Sequence, residues 1–363
     1  MSLTLNNVCR TVNGEVHLSD VSVSLSAGSF NVLLGRTLAG KTSLMRLMAG
    51  LDKPDSGQIL MHGENVSGVP VQRRNVSMVY QQFINYPHLT VFENIASPLR
   101  VARKPTSEIN IKVREIASLL HIEEHLKRFP LELSGGQQQR TAMARALVKD
   151  ASLILFDEPL ANLDYKLREE LRTELRDLFK ESKTVVVYAT TEPSEALALG
   201  GVTTLMHQGR VIQSGLAHEV YAKPNNVIAA ELFSEPALNM LDPFDSQSKP
   251  NELLAIRPEH ITLLATQPTD LALELTVDVA EISGSETFLH MHKSTAKRGH
   301  DYQLQEIVAR LRGIHQYQTG DIVKAYFPQT KLFHFDVDGN TINFDKPVAG
   351  VRQSDHSEVL ISG

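Results

Sequence analysis

A segment near the N-terminus has the residue types and spacing of a phosphate-binding loop. It matches the pattern G-x-x-x-x-G-K-[ST] and consists of Gly35, Arg36, Thr37, Leu38, Ala39, Gly40, Lys41 and Thr42, with Ser43 following. Such a loop turns backbone N–H groups toward phosphate oxygens, and the next helix adds positive potential. In this chemistry Lys41 reaches the β- and γ-phosphates, and the Thr42 hydroxyl is a ligand of Mg²⁺. The alternative is a chance turn between a strand and a helix.

Two acidic residues follow a second apolar run. Asp157 and Glu158 come directly after residues 153–156, whose sequence LILF is typical of a buried strand. We predict that Asp157 holds Mg²⁺, directly or through water, and that Glu158 polarises the water that attacks the γ-phosphorus. An Asp-Glu pair at a strand end is by itself more often a loop or a helix cap. The prediction therefore depends on the phosphate-binding loop.

The elements that must position these residues alternate along the chain. Residues 30–34, 153–156 and 185–188 are short apolar runs, and stretches with helical spacing follow them. One helical face carries Leu44, Leu47, Met48 and Leu51, and another carries Leu167, Leu171, Leu175 and Leu178. This alternation predicts an α/β fold with a largely parallel sheet covered by helices.

The patterning also divides the chain into two predicted domains, residues 1–236 and 237–363. Within the first, about residues 88–148 have helical rather than strand patterning, which predicts an inserted helical subdomain. The second opens with a polar linker at 245–251. It continues with short alternating segments separated by turn residues, as in a small β-barrel, and we expect it to end in a short polar tail.

Composition excludes several classes of protein. The 363 residues suit two domains, and 42% hydrophobic content is enough for a substantial core. A formal net charge of −6 argues against a general nucleic-acid or membrane-surface binder. The single cysteine excludes an intrachain disulfide. No secretory signal or membrane-spanning run is visible, so we expect a reducing compartment and contact with a membrane only through a partner.

The segment LSGGQ, residues 133–137, is the decisive motif. Ser134 is a helix N-cap residue, and Gly135 and Gly136 open the helix, which makes a second anion site. On cap chemistry alone, a plain capped helix would be the better interpretation. Between a phosphate-binding loop and an apolar segment ending in Asp-Glu, however, this motif resembles the signature of the ATP-binding-cassette (ABC) ATPases, which are P-loop NTPases.

Other segments of the first domain also match motifs of that family. Gln81 matches the glutamine of the Q-loop, and Asp164, within residues 160–164, matches the D-loop. In the second domain, residues 256–260, 284–287 and 320–324 resemble the OB-type β-barrel (TOBE-type) that is appended to carbohydrate-importer ATPases of the maltose type.

The resemblance implies a dimer of ATPase subunits bound to two membrane-spanning permease subunits, and served by a solute-binding protein. ATP would lie between the phosphate-binding loop of one chain and the signature of the other, with Ser134, Gly135, Gly136 and Gln137 serving the opposite chain's nucleotide. Gln81 and the helical subdomain would take the permease's coupling helix, and Gln81 would also contact Mg²⁺. The barrel would serve dimerisation or regulation. The chain would work at the cytoplasmic face of the inner membrane.

Three residues depart from the family pattern. Thr191 replaces the switch histidine, Val12 replaces the aromatic residue that stacks on adenine, and Leu38 replaces a glycine of the phosphate-binding loop. All three fall on the nucleotide site that this chain owns, whereas its signature looks intact. We therefore favour a heterodimer with an unlike ATPase whose site carries most turnover. The alternatives are a homodimer that tolerates Thr191 and a non-hydrolytic regulatory partner.

Two further interpretations concern the type of transport. The sequence of the phosphate-binding loop resembles that of the ATPase subunits of glycerol or polyol importers. In such importers the permeases and the binding protein select the solute. ABC ATPases that act on nucleic acid usually carry two cassettes or a long insertion, and this chain has neither. An exporter is disfavoured because exporter cassettes rarely carry this C-terminal domain.

Overall fold

The computed structural model describes residues 2–82, 84–161, 163–180, 182–241, 252–293 and 306–342. The chain divides into two compact units, Met1–Leu238 and Asn239–Gly363. Within the described ranges no helix is long and apolar enough to cross a membrane. The polar segment 245–251 and the C-terminal tail lie outside the described residues.

The first unit contains a mixed sheet and an antiparallel sheet. In chain order the strands are β1 Ser2–Val12, β2 Glu15–Ser26, β3 Phe30–Leu34, β4 Ser56–Met61, β5 Glu64–Asn65, β6 Val76–Val79, β7 Leu153–Asp157, β8 Val185–Thr190, β9 Val202–His207 and β10 Arg210–Leu216. The mixed sheet has the order β10-β9-β3-β8-β7-β6, and all its pairings are parallel except that of β10 with β9. The antiparallel sheet has the order β2-β1-β4-β5.

Helices cover the mixed sheet and form an insertion between β6 and β7. They are α1 Lys41–Ala49, α2 Val91–Val101, α3 Thr106–Leu119, α4 Gly135–Leu147, α5 Tyr165–Phe179, α6 Pro193–Leu199, α7 Ala217–Ala222 and α8 Val227–Leu232. The insertion comprises α2, α3 and α4, within the segment 88–148 that the patterning marks as helical. Its first helix is capped by Thr90, whose hydroxyl accepts a hydrogen bond from the Glu93 N–H at 3.2 Å.

The apolar face predicted for α5 is wrong at one position. Leu171 and Leu175 are buried and Leu167 packs against the core, but Leu178 is exposed and Phe179 is buried in its place. At about 100° of rotation per residue, Leu171, Leu175 and Phe179 lie about 40° apart in succession, so the buried face is centred on Leu175, and Leu178 lies about 60° from that centre on the side of Leu167. The ring of Phe179 also makes edge-to-face contacts with the rings of Phe30 and Phe156 in the sheet. A leucine side chain such as that of Leu178 cannot make such contacts.

The central strands of the mixed sheet place the chemistry-bearing residues at one edge. Every residue of β3, β7 and β8 is buried, because both faces of the sheet are covered. Leu34 pairs with Thr190, and Asp157 pairs with Ala189, so the three strands end side by side. The phosphate-binding loop, Glu158 and Thr191 each follow one of these ends directly.

The second unit is a β-structure built from antiparallel strands. These are β11 Asn239–Leu241, β12 Leu253–Ile256, β13 Leu271–Ser283, β14 Glu286–His292, β15 Glu306–Arg312, β16 Ile322–Phe327 and β17 Phe333–Phe335. They form two sheets, ordered β11-β12-β17 and β15-β14-β13-β16. The predicted turn at 283–285 joins β13 to β14, with Gly284 at φ 64°. The described residues show this open sheet rather than a closed barrel, so the OB-type barrel stays a prediction.

Candidate nucleotide-binding site

The phosphate-binding loop connects β3 to α1 and requires glycine at both of its ends. Gly40 has φ 97°, and a Cβ there would lie 2.9 Å from the carbonyl oxygen of His17. At Gly35 a Cβ would come within 2.5 Å of the Met206 carbonyl oxygen. The backbones of β2 and β9 therefore press on the loop from outside. The loop also makes backbone hydrogen bonds with neighbouring segments. For example, the Gly209 N–H donates to the Ala39 carbonyl oxygen at 3.0 Å.

Leu38 adopts the left-handed backbone conformation, with φ 68°, and its side chain is 95% exposed. A leucine gains nothing there from packing and carries the steric cost of that conformation. We expect Leu38→Gly to raise the free energy of unfolding by about 0.5–1 kcal/mol, because relief of strain exceeds the added flexibility of the unfolded chain.

Urea denaturation measures this difference. Leu131→Gly is the matched control, since Leu131 is 84% exposed in the same unit and is not among the residues with positive φ. That variant should be destabilised. If both variants lose stability equally, the backbone at Leu38 is not strained.

Lys41 is held inside the loop by its own backbone. Its ammonium donates to the carbonyl oxygens of Gly35 at 2.7 Å and Arg36 at 3.1 Å, and its Nζ lies 3.5 Å from Glu158 Oε1. Burial lowers the pKa of Lys41, and the negative charges of Glu158 and Asp157 oppose that shift. The Lys41 side chain is thus buried and is held by the backbone carbonyls of the loop and by Glu158.

The carboxylates at the end of β7 meet α1 and the segment after β6. The Thr42 hydroxyl donates to Asp157 Oδ2 at 2.8 Å, and Gln81 Nε2 donates to Glu158 Oε2 at 3.0 Å. Glu158 is itself in the left-handed region, at φ 49°, and its N–H bonds to Ala189 O at 3.0 Å. The sequence-predicted residues Lys41, Thr42, Gln81, Asp157 and Glu158 therefore form one contiguous network.

This network suits a magnesium ion that accompanies a nucleotide. Burial raises the pKa of Asp157, while the hydrogen bond from Thr42 opposes the shift, so a cation would relieve a buried carboxylate. The hydroxyl, carboxylate and amide oxygens of Thr42, Asp157 and Gln81 are of the hard type that Mg²⁺ prefers, and Mg²⁺ also takes phosphate oxygens. When bound, it supplies positive charge to the phosphates. Among the described residues no cluster of three or more His, Cys, Asp or Glu side chains forms a separate metal site.

The signature segment begins α4 with a complete cap. Ser134 Oγ accepts from the Gln137 N–H at 3.3 Å, and Gln137 Oε1 accepts from the Ser134 N–H at 2.9 Å. A Cβ at Gly135 would meet nothing within 4 Å, so this chain's own packing does not require a glycine there. Among the described residues, no hydrogen bond or ion pair joins this segment to the phosphate-binding loop. The signature segment and the phosphate-binding loop are therefore not bonded to each other within the described part of the chain.

The D-loop lies against the signature. A Cβ at Gly136 would come 3.1 Å from Leu163 Cδ2, and Gln139 Nε2 donates to Pro159 O next to the carboxylate pair. Asp164 caps α5 by accepting from the Leu167 N–H at 2.9 Å. Asn162 lies outside the described residues.

Two residues that depart from the family pattern lie in different surroundings. Thr191 is exposed directly after β8, and the preceding residue, Thr190, accepts a backbone bond from Gly35 at 3.4 Å. Val12 ends β1 at the tip of the hairpin with β2, where it pairs with Glu15. No hydrogen bond among the described residues links Val12 to the loop.

One residue at this site, His17, belongs to no sequence motif. His17 Nδ1 lies 3.0 Å from Ser43 Oγ, on the first turn of α1, and the imidazole is half-buried. The sequence gives no sign of this contact, because 26 residues separate the partners and His17 belongs to no motif. The pairing arises only because β2 crosses over the loop.

Comparisons with known proteins agree with this geometry. A family model described as "ABC transporter" matches residues 18–161, and a curated relative is 35% identical over 99% of both chains. The chain belongs to the ATP-binding proteins of the ABC transporter family, and the ABC ATPase fold predicted for the first domain is confirmed.

The relatives are full-length matches. The one at 35% identity is the sn-glycerol-3-phosphate import ATP-binding protein UgpC of Psychromonas ingrahamii, and UgpC of Rhodopseudomonas palustris is 36% identical over 93% of this chain and 98% of its own. Among solved structures, the dimeric bacterial ABC transporter cassette MJ0796 is similar with a TM-score of 0.56 and 28% identity. The matched region covers 59% of this chain and 98% of the MJ0796 chain. A second MJ0796 structure, described as a post-hydrolysis state bound to ADP and Pi, matches with a TM-score of 0.55.

Proposed function

We propose that this chain binds and hydrolyses ATP to energise a membrane importer. The observation that carries the proposal is the network joining Lys41, Thr42, Gln81, Asp157 and Glu158 around the phosphate-binding loop. Phosphoryl transfer to water requires groups of three kinds, and the network contains all of them. They are the ammonium of Lys41, the hydroxyl–carboxylate pair of Thr42 and Asp157, and the carboxylate of Glu158, which is hydrogen-bonded by the Gln81 amide.

The chemistry follows from these positions. Water forms a bond to the γ-phosphorus while the bond from the γ-phosphorus to the β–γ bridging oxygen breaks, and ADP leaves with that electron pair. Glu158 orients the water and accepts its proton, because Gln81 and Lys41 hold the carboxylate between them. Lys41 and the loop N–H groups bind the phosphates and offset the charge that develops on the leaving oxygen.

The solute we propose is a glycerol phosphate, a polyol or a sugar. The supporting observation is that two relatives of nearly the same length are named for sn-glycerol-3-phosphate import. Uptake of radiolabelled sn-glycerol 3-phosphate, glycerol, other polyols and sugars, in a strain lacking this chain, tests the proposal. Unchanged uptake of every compound would contradict it.

We also propose that the partner ATPase is an unlike chain. The support is the distribution of substitutions: Thr191, Val12 and Leu38 belong to the half-site that this chain owns, while the signature keeps its full cap and its open glycine. Two identical chains would carry the same substitutions in both nucleotide sites. Two permeases, a solute-binding protein and docking at the cytoplasmic membrane face through Gln81 and α2–α4 complete the proposed assembly. The second unit would serve dimerisation or regulation.

Affinity purification of the native complex, with intact-mass analysis of its subunits, decides between the two kinds of dimer. We expect a second ATPase of different mass in a 1:1 ratio. A single ATPase species would establish the homodimer instead. Steady-state ATP hydrolysis by the purified chain alone then measures how well its own half-sites work together.

A further inference from the structure

The structure brings Arg36 and Thr191 to the same place. Leu34 pairs with Thr190 in the register of β3 and β8, and Gly35 N–H bonds to Thr190 O at 3.4 Å. Beyond the two strand ends the chain therefore continues through Gly35 to Arg36 on one side and directly to Thr191 on the other. Both line one cavity of about 290 Å³, together with Glu192 and Glu231.

Arg36 is only loosely held at this cavity. Its Nη2 lies 3.7 Å from Glu231 Oε2, and its side chain is 67% exposed. Glu192, in contrast, is bound by Arg168, whose Nη1 lies 2.8 and 2.9 Å from the two carboxylate oxygens. An exposed ion pair at that separation contributes little, so the guanidinium of Arg36 can leave Glu231 for a stronger partner at small cost.

The strongest partner within reach is the terminal phosphate of a nucleotide. The Arg36 carbonyl lies 3.1 Å from Nζ of Lys41, the ammonium to which we assign the β- and γ-phosphates, so the Arg36 side chain begins next to that ammonium. Thr191, which lines the same cavity, offers only a short neutral hydroxyl. A guanidinium is planar, always charged and able to bind two phosphate oxygens at once.

We propose that Arg36 contacts the γ-phosphate of ATP and provides the charged contact that Thr191 does not. This inference rests on the proposed function, because it requires that the loop bind ATP. Arg36 stabilises the charge on the γ-phosphoryl oxygens in the ground state and in the transition state. Glu231 holds the guanidinium aside when no nucleotide is present and competes with the phosphate for it.

The test compares ATP and ADP binding in the full-length chain, purified with any ATPase that accompanies it. All variants carry Glu158→Gln so that ATP is not consumed. We expect Arg36→Gln to weaken ATP binding about tenfold or more and to change ADP binding less than about twofold, since ADP lacks the contacted phosphate. Glu231→Gln should tighten ATP binding, and Thr191→His should restore part of the affinity that Arg36→Gln removes.

Arg114→Gln is the matched control. Arg114 Nη1 also lies 3.7 Å from a carboxylate, that of Glu123, and its side chain is 63% exposed on α3 in the same unit. This variant should bind both nucleotides as the parent does. Equal losses for ATP and ADP in Arg36→Gln would show that Arg36 only shapes the loop, and no loss would exclude the contact. Either result overturns the inference and leaves the proposed function standing, whereas failure of the parent to bind ATP overturns both.

Discussion

In the purified chain without a partner ATPase, Glu158→Gln is expected to reduce steady-state ATP hydrolysis by about 10²–10⁴-fold while ATP binding is retained. Glu158 lies between Gln81 Nε2, at 3.0 Å, and Lys41 Nζ, at 3.5 Å. A glutamine keeps the size of the side chain and an oxygen that can accept from Gln81. It cannot take a proton from water, so the loss falls on the chemical step rather than on binding.

Phosphate release and a fluorescent-nucleotide titration measure the two quantities separately. Glu170→Gln is the control, because Glu170 is a solvent-facing carboxylate on α5, 3.9 Å from Lys166, and takes no part in the network. That variant should hydrolyse ATP at the parent rate. If Glu158→Gln keeps most of its activity, the general base is another group and the assignment of Glu158 is wrong.

Lys41→Met is expected to weaken ATP binding by about 10²-fold or more, because it removes charge-assisted contacts to two phosphates. The side chain of Lys41 is 5% exposed and its ammonium is held by two backbone carbonyls, so its position is already fixed before a phosphate arrives. Methionine keeps the apolar stem of the side chain. It leaves the carbonyl oxygens of Gly35 and Arg36 without this donor, so some stability is lost as well.

The second effect makes a stability control necessary. Lys149→Met is this stability control. Burial also lowers the pKa of Lys149, and its Nζ also donates to a backbone carbonyl oxygen, that of Val76, at 3.0 Å. Thermal unfolding of both variants should show similar small losses, but only Lys41→Met should lose nucleotide affinity. Equal nucleotide affinity in the two variants would remove Lys41 from the phosphate site.

The fold and much of the candidate site could be predicted from local patterns. The loop at 35–42 carries its chemistry in consecutive residues, and Asp157 and Glu158 follow an apolar run that is typical of a buried strand and is one in the structure. Parallel strands bring their carboxyl ends to one sheet edge, so the meeting of these segments follows from the α/β pattern. Gln81 was found by resemblance, and its bond to Glu158 joins residues that are 77 positions apart.

Other features could not be predicted because they depend on which backbones approach one another. The contact of His17 with Ser43 exists because β2 crosses the loop, and the burial of Phe179 instead of Leu178 reflects how α5 is rotated against the sheet. Whether Leu38 is strained depended on a dihedral angle that no motif encodes, and the structure gives φ 68°.

The class of chemistry could be predicted from residue types alone, because phosphate binding and carboxylate catalysis need particular side chains at short, fixed spacings. Which side chains lie next to one another depends on how the strands and helices pack. Arg36 and Thr191 are 155 residues apart, as their numbers show, and neither residue type indicates a common role. The β3–β8 register brings the ends of these two strands together, and both residues line one cavity beyond them, because hydrogen bonding between strands, and not proximity along the chain, sets the neighbours at the end of a sheet.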